Sequence, residues 1–223
     1  MDRALTENLA AQSSHTTTIS LWVVPFILAL LGMASLSIDL PVAKVFKEKT
    51  LPEVIDRQLR DALEICETFG HGFGATLIII GVAVLSPGSR WDIPWVVSGS
   101  LGAGMVANLI KLTVHRIRPV NFDTTADSVW RTFDRDFSHG GPMQSFPSSH
   151  TATAVGLAVM LSALFPRGRW YFMVLALLVG LQRIVSSAHF PSDVCGGAIV
   201  GWLVASACVY WSNSTCRPFS TSK

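Results

Sequence analysis

The chain has 223 residues and a formal net charge of +2; half of its residues are hydrophobic, only 14% are charged, and the mean hydropathy is +0.45. A water-soluble domain carries roughly a quarter charged residues, so this deficit excludes an ordinary soluble enzyme and points to a membrane protein. Acids and bases are interleaved in the polar segments, with no basic or aromatic-interleaved block, which argues against a nucleic-acid partner.

Six apolar runs recur at about 20–38, 69–86, 93–114, 148–165, 170–188 and 194–212. Each is close to the roughly 17–25 residues needed to cross the hydrocarbon core. Together they take up most of the chain, which predicts an all-α integral membrane bundle of six transmembrane helices forming one domain over residues 1–223. The polar start, MDRALTENLAAQSSHTTTIS, carries acids and is neither a cleavable signal nor an Arg-rich transit peptide. The first run therefore reads as an uncleaved insertion signal. After it, TLPEVIDRQLRDALEICETFG has apolar residues near helical spacing, which predicts an amphipathic helix lying at the membrane surface.

An even number of spans puts both termini on one side. The short FPRGRW connection, with two arginines and no acid, favours the cytoplasm by the positive-inside rule. The Lys and Arg residues of the longer connections, 39–68 and 116–146, favour the opposite arrangement, so charge alone leaves orientation open. The long segment NFDTTADSVWRTFDRDFSHGGPMQS has the length of a functional loop. Cys66, Cys195, Cys208 and Cys216 show no CxxC spacing and read as unpaired packing residues.

Three polar clusters fall at the ends of spans, on the face that an even topology makes common to them. The third span ends KLTVHRIRP. Lys111 and Arg118 are seven residues apart, two helical turns and about 10 Å of rise, and so share a face; Pro119 then pushes Arg118 out of helical geometry and stops the span. Basic residues at a helix end also snorkel to lipid headgroups, the alternative for this pair. His115 and Arg116 add charge there with no spacing that assigns them a role. PSSH, Pro147–His150, opens the fourth span. Ser148 or Ser149 can cap that helix, and its exposed N–H groups and positive dipole end suit a phosphate, with His150 beside them. A capped helix with an incidental histidine is the competing reading.

The sharpest cluster is RIVSSAHFPSD, where the fifth span meets the sixth. Asp193, four residues after His189, can accept from one imidazole nitrogen and leave the other as a nucleophile. Arg183 offers a planar donor fork suited to phosphate oxygens. An Arg183–Asp193 ion pair tying two helices together is the alternative, and it leaves His189 idle. One acid, Asp193, does not neutralise three cations at span ends, which implies a missing anion.

K-x6-RP (Lys111, Arg118, Pro119), PSSH (Pro147–His150) and R-x5-H-x3-D (Arg183, His189, Asp193) resemble, in order and spacing, the three motifs of the type 2 phosphatidic acid phosphatase family. Two positions depart from the usual pattern: Ser149 stands where glycine is usual, and Gln182 where serine is usual. A left-handed backbone at Ser149 would cost about 1 kcal/mol or more.

The resemblance implies that Lys111, Arg118, Ser148, Ser149 and Arg183 hold the phosphoryl oxygens, with no metal or other cofactor. It further implies that His189 attacks phosphorus to form a phosphohistidine, that Asp193 orients His189, and that His150 protonates the leaving oxygen. The implied partner is a membrane lipid phosphate: phosphatidic acid, phosphatidylglycerophosphate, undecaprenyl diphosphate or phosphorylated lipid A. The implied location is a bacterial inner membrane with the site on the periplasmic side. Competing readings are a lipid phosphotransferase, a vanadate-dependent haloperoxidase, disfavoured by the spans, and a non-catalytic anion transporter. A metal site built from His150, His189 and Asp193 is disfavoured by the surrounding cations.

Overall fold

In the computed structural model, the described residues are 22–123, 125–133 and 144–215. Among them eight α-helices follow one another: α1 (Trp22–Ser35), α2 (Asp39–Lys47), α3 (Glu53–Gly70), α4 (Gly72–Leu85), α5 (Ile93–Lys111), α6 (Ser149–Leu164), α7 (Arg169–Val185) and α8 (Pro191–Thr215). The six expected apolar runs correspond to α1, α4, α5, α6, α7 and α8, and the protein is an all-α helical bundle. The polar start that precedes the first run, residues 134–143 of the long loop, and Cys216 lie outside the described residues; Cys66, Cys195 and Cys208 are free thiols.

Pro87–Lys111, Pro166–Val185 and Pro191–Ser214 are each long and apolar enough to cross a membrane. α1 with α2, and α3 with α4, qualify as pairs bent by 69° and 62°, which gives up to five spans. α6 has 16 residues, a rise of about 24 Å against a hydrocarbon core of about 30 Å. The segment expected on the membrane surface is α3, and it does more than lie there. Leu63, Phe69 and Gly70 are buried as the helix packs along α7, because its apolar stripe finds a partner within the bundle. The chain then breaks at His71, whose Nδ1 accepts from the Phe73 N–H at 3.3 Å and caps α4.

α6 is the central helix, with α5, α7 and α8 packed around it and ten of its sixteen residues buried. Leu157, Met160 and Leu164 meet Val96 and Val179 in the interior. Helices in lipid gain little from apolar burial against one another and rely on close backbone approach at small residues. A Cβ on Gly156 would sit 2.3 Å from the Gly99 carbonyl oxygen, and one on Gly197 would sit 2.3 Å from that of Ser148. Trp22, Phe26, Phe73, Leu77 and Leu109 face outward, as a surface solvated by acyl chains requires.

The polar end of the bundle is organised by Arg116, which is fully buried. Its Nη2 donates to Asp39 Oδ2 of α2 at 2.6 Å, and its Nη1 to Asp193 Oδ1 of α8 at 2.5 Å. Nη1 also donates to Ser192 Oγ at 2.7 Å, and Nε to Thr132 Oγ1 at 3.0 Å. The guanidinium lies over the rings of Phe190 and Phe133, 4.3 and 4.7 Å from their centroids. The backbone beside it runs between Phe133 and Gln144, and the Ser145 N–H donates to the Arg116 carbonyl at 2.9 Å. Asp39 and Asp193 use their remaining acceptor capacity on Ser192 and, for Asp193, on the Ser145 hydroxyl and the Phe190 N–H. A buried ion cluster is tolerated only when its members are satisfied in this way.

Two outcomes are expected in unfolding experiments on the detergent-solubilised protein. Arg116→Met leaves two buried carboxylates unpaired and lowers stability by about 3–5 kcal/mol, whereas Arg57→Met, whose partner Glu53 is exposed, leaves it unchanged within error. Gly156→Ala forces α5 from α6 and costs about 1–3 kcal/mol, whereas Gly102→Ala, with nothing within 4 Å of the new Cβ, costs nothing. Equal effects within either pair would contradict this account of the bundle.

Candidate active site

The sequence placed Lys111 and Arg118 on one helical face. The structure does not: α5 ends at Lys111, and Arg118 has extended backbone (φ −72°, ψ 147°) before a short 3₁₀ turn at Pro119–Asn121. The intervening chain has to leave the helix so that Arg116 can thread between Phe133 and Gln144. The two cations still come together. The Val120 N–H donates to the Ser187 carbonyl at 3.0 Å, which ties the Arg118 segment to the turn between α7 and α8, and Arg118 and Arg183 are the cations beside Lys111.

Ser148 is the N-cap of α6; its Oγ accepts from the Thr151 N–H at 3.4 Å and from Thr151 Oγ1 at 2.9 Å. Ser149 is the first helical residue. Among the described residues only Lys49 and Ser187 are non-glycines with positive φ, so serine at position 149 carries no backbone penalty. Its hydroxyl accepts from Lys111 Nζ at 3.1 Å, a contact that glycine cannot make. The Ser148 N–H donates to the Asp193 carbonyl at 3.0 Å, which docks the start of α6 against the start of α8.

His189 occupies the turn between α7 and α8 and is buried. Its Nδ1 lies 3.7 Å from Asp193 Oδ2, within ion-pair distance but longer than a hydrogen bond. The expected orienting contact is therefore looser than a hydrogen bond, because the Asp193 oxygens are already engaged by Arg116, Ser145 and Phe190. Burial pushes His189 below the ordinary histidine value, and Asp193 opposes that shift. The expected alternative pair, Arg183 with Asp193, does not form; each has another partner.

The partner of Arg183 is Glu67, on α3. Arg183 Nη1 donates to Glu67 Oε1 at 2.6 Å and to Gln182 Oε1 at 3.2 Å, and Gln182 Nε2 donates to Glu67 Oε2 at 2.9 Å. The same Glu67 Oε1 lies 3.5 Å from His150 Nε2. The sequence reading counted Asp193 as the one acid of the site and missed Glu67. The available signal was that Glu67 is the last acid before an apolar run, the edge position at which the other clusters were found.

Lys111 and Arg183 thus neighbour both His150 and His189 at one end of the bundle, and Arg118 neighbours Lys111 and Arg183. Arg118 Nε and Arg183 Nε are buried with no hydrogen-bond partner among the described residues. An unmade bond of that kind costs more at a charged donor than at a neutral one, so the arrangement favours an anion with several acceptor oxygens. Beside it a groove of about 300 Å³ runs past Gly70, His71, Leu101, Met105, Asn108 and His150.

Residues 94–216 match the PAP2 superfamily. The chain is 37% identical over 110 residues to the lipid A 1-phosphatase of Rhizobium etli, covering 48% of this chain and 46% of that protein. It is 32% identical over 105 residues to the undecaprenyl-diphosphatase of Bacillus subtilis, covering 46% and 49%. The chain thus spans about half the length of these curated relatives. The crystal structure of a transmembrane PAP2-type phosphatidylglycerolphosphate phosphatase from Bacillus subtilis superposes with a TM-score of 0.65 at 19% identity, covering 89% of this chain and 98% of that one. This last match shows a shared fold. The superfamily match spans more than half of the chain and contains every motif from Lys111 to Asp193, and the chain belongs to the PAP2 superfamily.

Proposed function

We propose that residues 1–223 form one membrane-embedded phosphatase domain that hydrolyses a phosphomonoester or diphosphate on a lipid through a phosphohistidine. The observation that carries this reading is the gathering of Lys111, Arg183 and the N-terminus of α6 at His150 and His189, with Arg118 beside Lys111 and Arg183 and two buried guanidinium donors left without partners among the described residues. The chemistry needs a cationic cradle and an in-line nucleophile. The relatives' names support a lipid as substrate, as does the groove beside His150, which lies next to the exposed Met105.

In this mechanism Lys111, Arg118, Arg183, the Ser148 hydroxyl and the N–H groups of Ser149 and His150 bind the phosphoryl oxygens. Because Nδ1 of His189 faces Asp193, Nε2 is the nitrogen that attacks phosphorus. The bond from phosphorus to the lipid oxygen breaks, its electron pair stays on that oxygen, and His150 supplies the proton. Water then attacks the phosphohistidine and gives a proton to His150, and the P–N electron pair returns to His189. The Arg116 cluster contains two carboxylates and one guanidinium, so its net charge of −1 favours the cationic imidazole of the intermediate. The site belongs on the periplasmic face of a bacterial inner membrane, a reading that rests on the resemblance. Turnover of externally added substrate by intact cells checks it, and turnover confined to lysed cells speaks against it.

Phosphate release should be measured over phosphatidic acid, phosphatidylglycerophosphate, undecaprenyl diphosphate and lipid A, with purified protein in EDTA. At least one is expected to be hydrolysed, and His189→Asn should lower the rate about 10³-fold or more with the fold retained. Failure on all four lipids, or a fully active His189→Asn, refutes the proposal. The pH profile gives a second check. Neutral His189 is the reacting form and burial lowers its pKa, so activity survives as pH falls until that lowered value is passed. The acid limb of kcat/KM is expected below 6.5, the ordinary histidine value, and a limb above it contradicts the assignment.

A further inference from the structure

We propose that Glu67 is the counter-charge of His150: a positioning residue that keeps the proton for the leaving group on that imidazole. The inference rests on the phosphatase reading above and adds a residue that lies outside the superfamily match at 94–216. An acid catalyst must begin the reaction protonated. The charged and titratable groups around His150 are Arg183 from α7, Lys111 from α5, His189 from the turn between α7 and α8, His71 from the bend between α3 and α4, and Glu67 from α3. Four of the five are cations or become cations on protonation, and each disfavours an imidazolium beside it. Glu67 is the one carboxylate within ion-pair distance of His150 among the described residues, with Oε1 3.5 Å from Nε2.

Glu67 is also held in place. Gln182 Nε2 binds one of its oxygens at 2.9 Å and Arg183 Nη1 the other at 2.6 Å. The oxygen that Arg183 engages is the one facing His150. A phosphoryl oxygen that takes over Arg183 Nη1 frees Glu67 Oε1 for the imidazolium, so substrate binding and the readiness of the acid are linked through one carboxylate oxygen. As the phosphorus–oxygen bond breaks, its electron pair stays on the lipid oxygen, which takes a proton from His150 and leaves a neutral imidazole beside Glu67. The water that hydrolyses the phosphohistidine then returns a proton to His150. The site therefore contains two histidine–carboxylate pairs: His189 with Asp193 for attack, and His150 with Glu67 for departure.

The test compares wild-type protein, Glu67→Gln and Glu67→Asp on dioctanoyl phosphatidic acid, whose alkoxide must be protonated to leave, and on p-nitrophenyl phosphate, whose phenolate leaves without a proton. Glu67→Gln is expected to lower kcat on phosphatidic acid about 10²-fold, to change p-nitrophenyl phosphate turnover less than about threefold, and to leave KM within about threefold. The basic limb of its pH profile should move to lower pH, since the imidazolium loses the one carboxylate within ion-pair distance among the described residues. Glu67→Asp keeps the charge farther from His150 and should fall between the two; it carries the test if Glu67→Gln does not fold. Equal losses on both substrates with an unmoved basic limb would mean that Glu67 is merely structural, and that overturns the inference, as does wild-type behaviour of both variants. Wild-type protein inert on both substrates also overturns it, and inertness across the four-lipid panel overturns the phosphatase reading beneath it.

Discussion

The arrangement of the polar end depends on one buried guanidinium. Arg116 is fully enclosed and binds Asp39 of α2, Asp193 and Ser192 of α8, and Thr132 of the long loop, at 2.5–3.0 Å. A charge removed from water needs its partners fixed around it, and fixing them draws the start of α2, the start of α8 and the loop together. The consequence for the site is direct. Asp193 stands beside His189, and its backbone carbonyl receives the Ser148 N–H that opens α6. The start of α6 and the candidate nucleophile are therefore registered to each other through the residue that Arg116 holds.

Charge is divided between two layers. The inner layer contains Asp39, Arg116 and Asp193, is closed to solvent and carries more negative than positive charge. The outer layer contains Lys111, Arg118, Arg183 and both histidines, with Glu67 as its carboxylate. Placing the cations outside and the surplus acid inside suits the proposed uptake of an anion and the cationic imidazole of the proposed intermediate. Glu67 moderates the outer layer, pairing with Arg183; the buried Nε of that residue and of Arg118 have no hydrogen-bond partner among the described residues.

The two departures from the usual motif pattern are each taken up by a neighbouring charge. Ser149 sits at an ordinary helical position and receives a hydrogen bond from Lys111, which fixes an otherwise flexible ammonium next to the helix N-terminus. Gln182 reaches Glu67 with its amide nitrogen and Arg183 with its amide oxygen, and so bridges the acid and the base. A serine hydroxyl is too short to span both. Long amide and paired carboxylate thus form one unit, built from residues 115 positions apart.

Much of this protein is legible in its sequence. Runs of apolar residues near membrane length gave the all-α class and the position of six of the eight described helices, because the need to satisfy backbone polar groups in lipid leaves a chain few choices. Lys111, Arg118, His150, Arg183, His189 and Asp193 stood out because charge at a span end is costly unless it is used, and Ser148 because it can cap a span. The sequence misjudged the joints. It put Lys111 and Arg118 on one helical face, although the chain leaves the helix after Lys111 to deliver Arg116; it treated Arg116 as unassigned charge; and it did not give α3 its partner, α7. Periodicity reports which face of a helix is apolar, not which neighbour that face will meet. The pairings of Arg116 with Asp39 and of Arg183 with Glu67 join residues 77 and 116 positions apart. Ionic contacts of that range leave no spacing in the sequence, since they exist only once separate helices have packed, and it was tertiary structure that decided which acid answers which base.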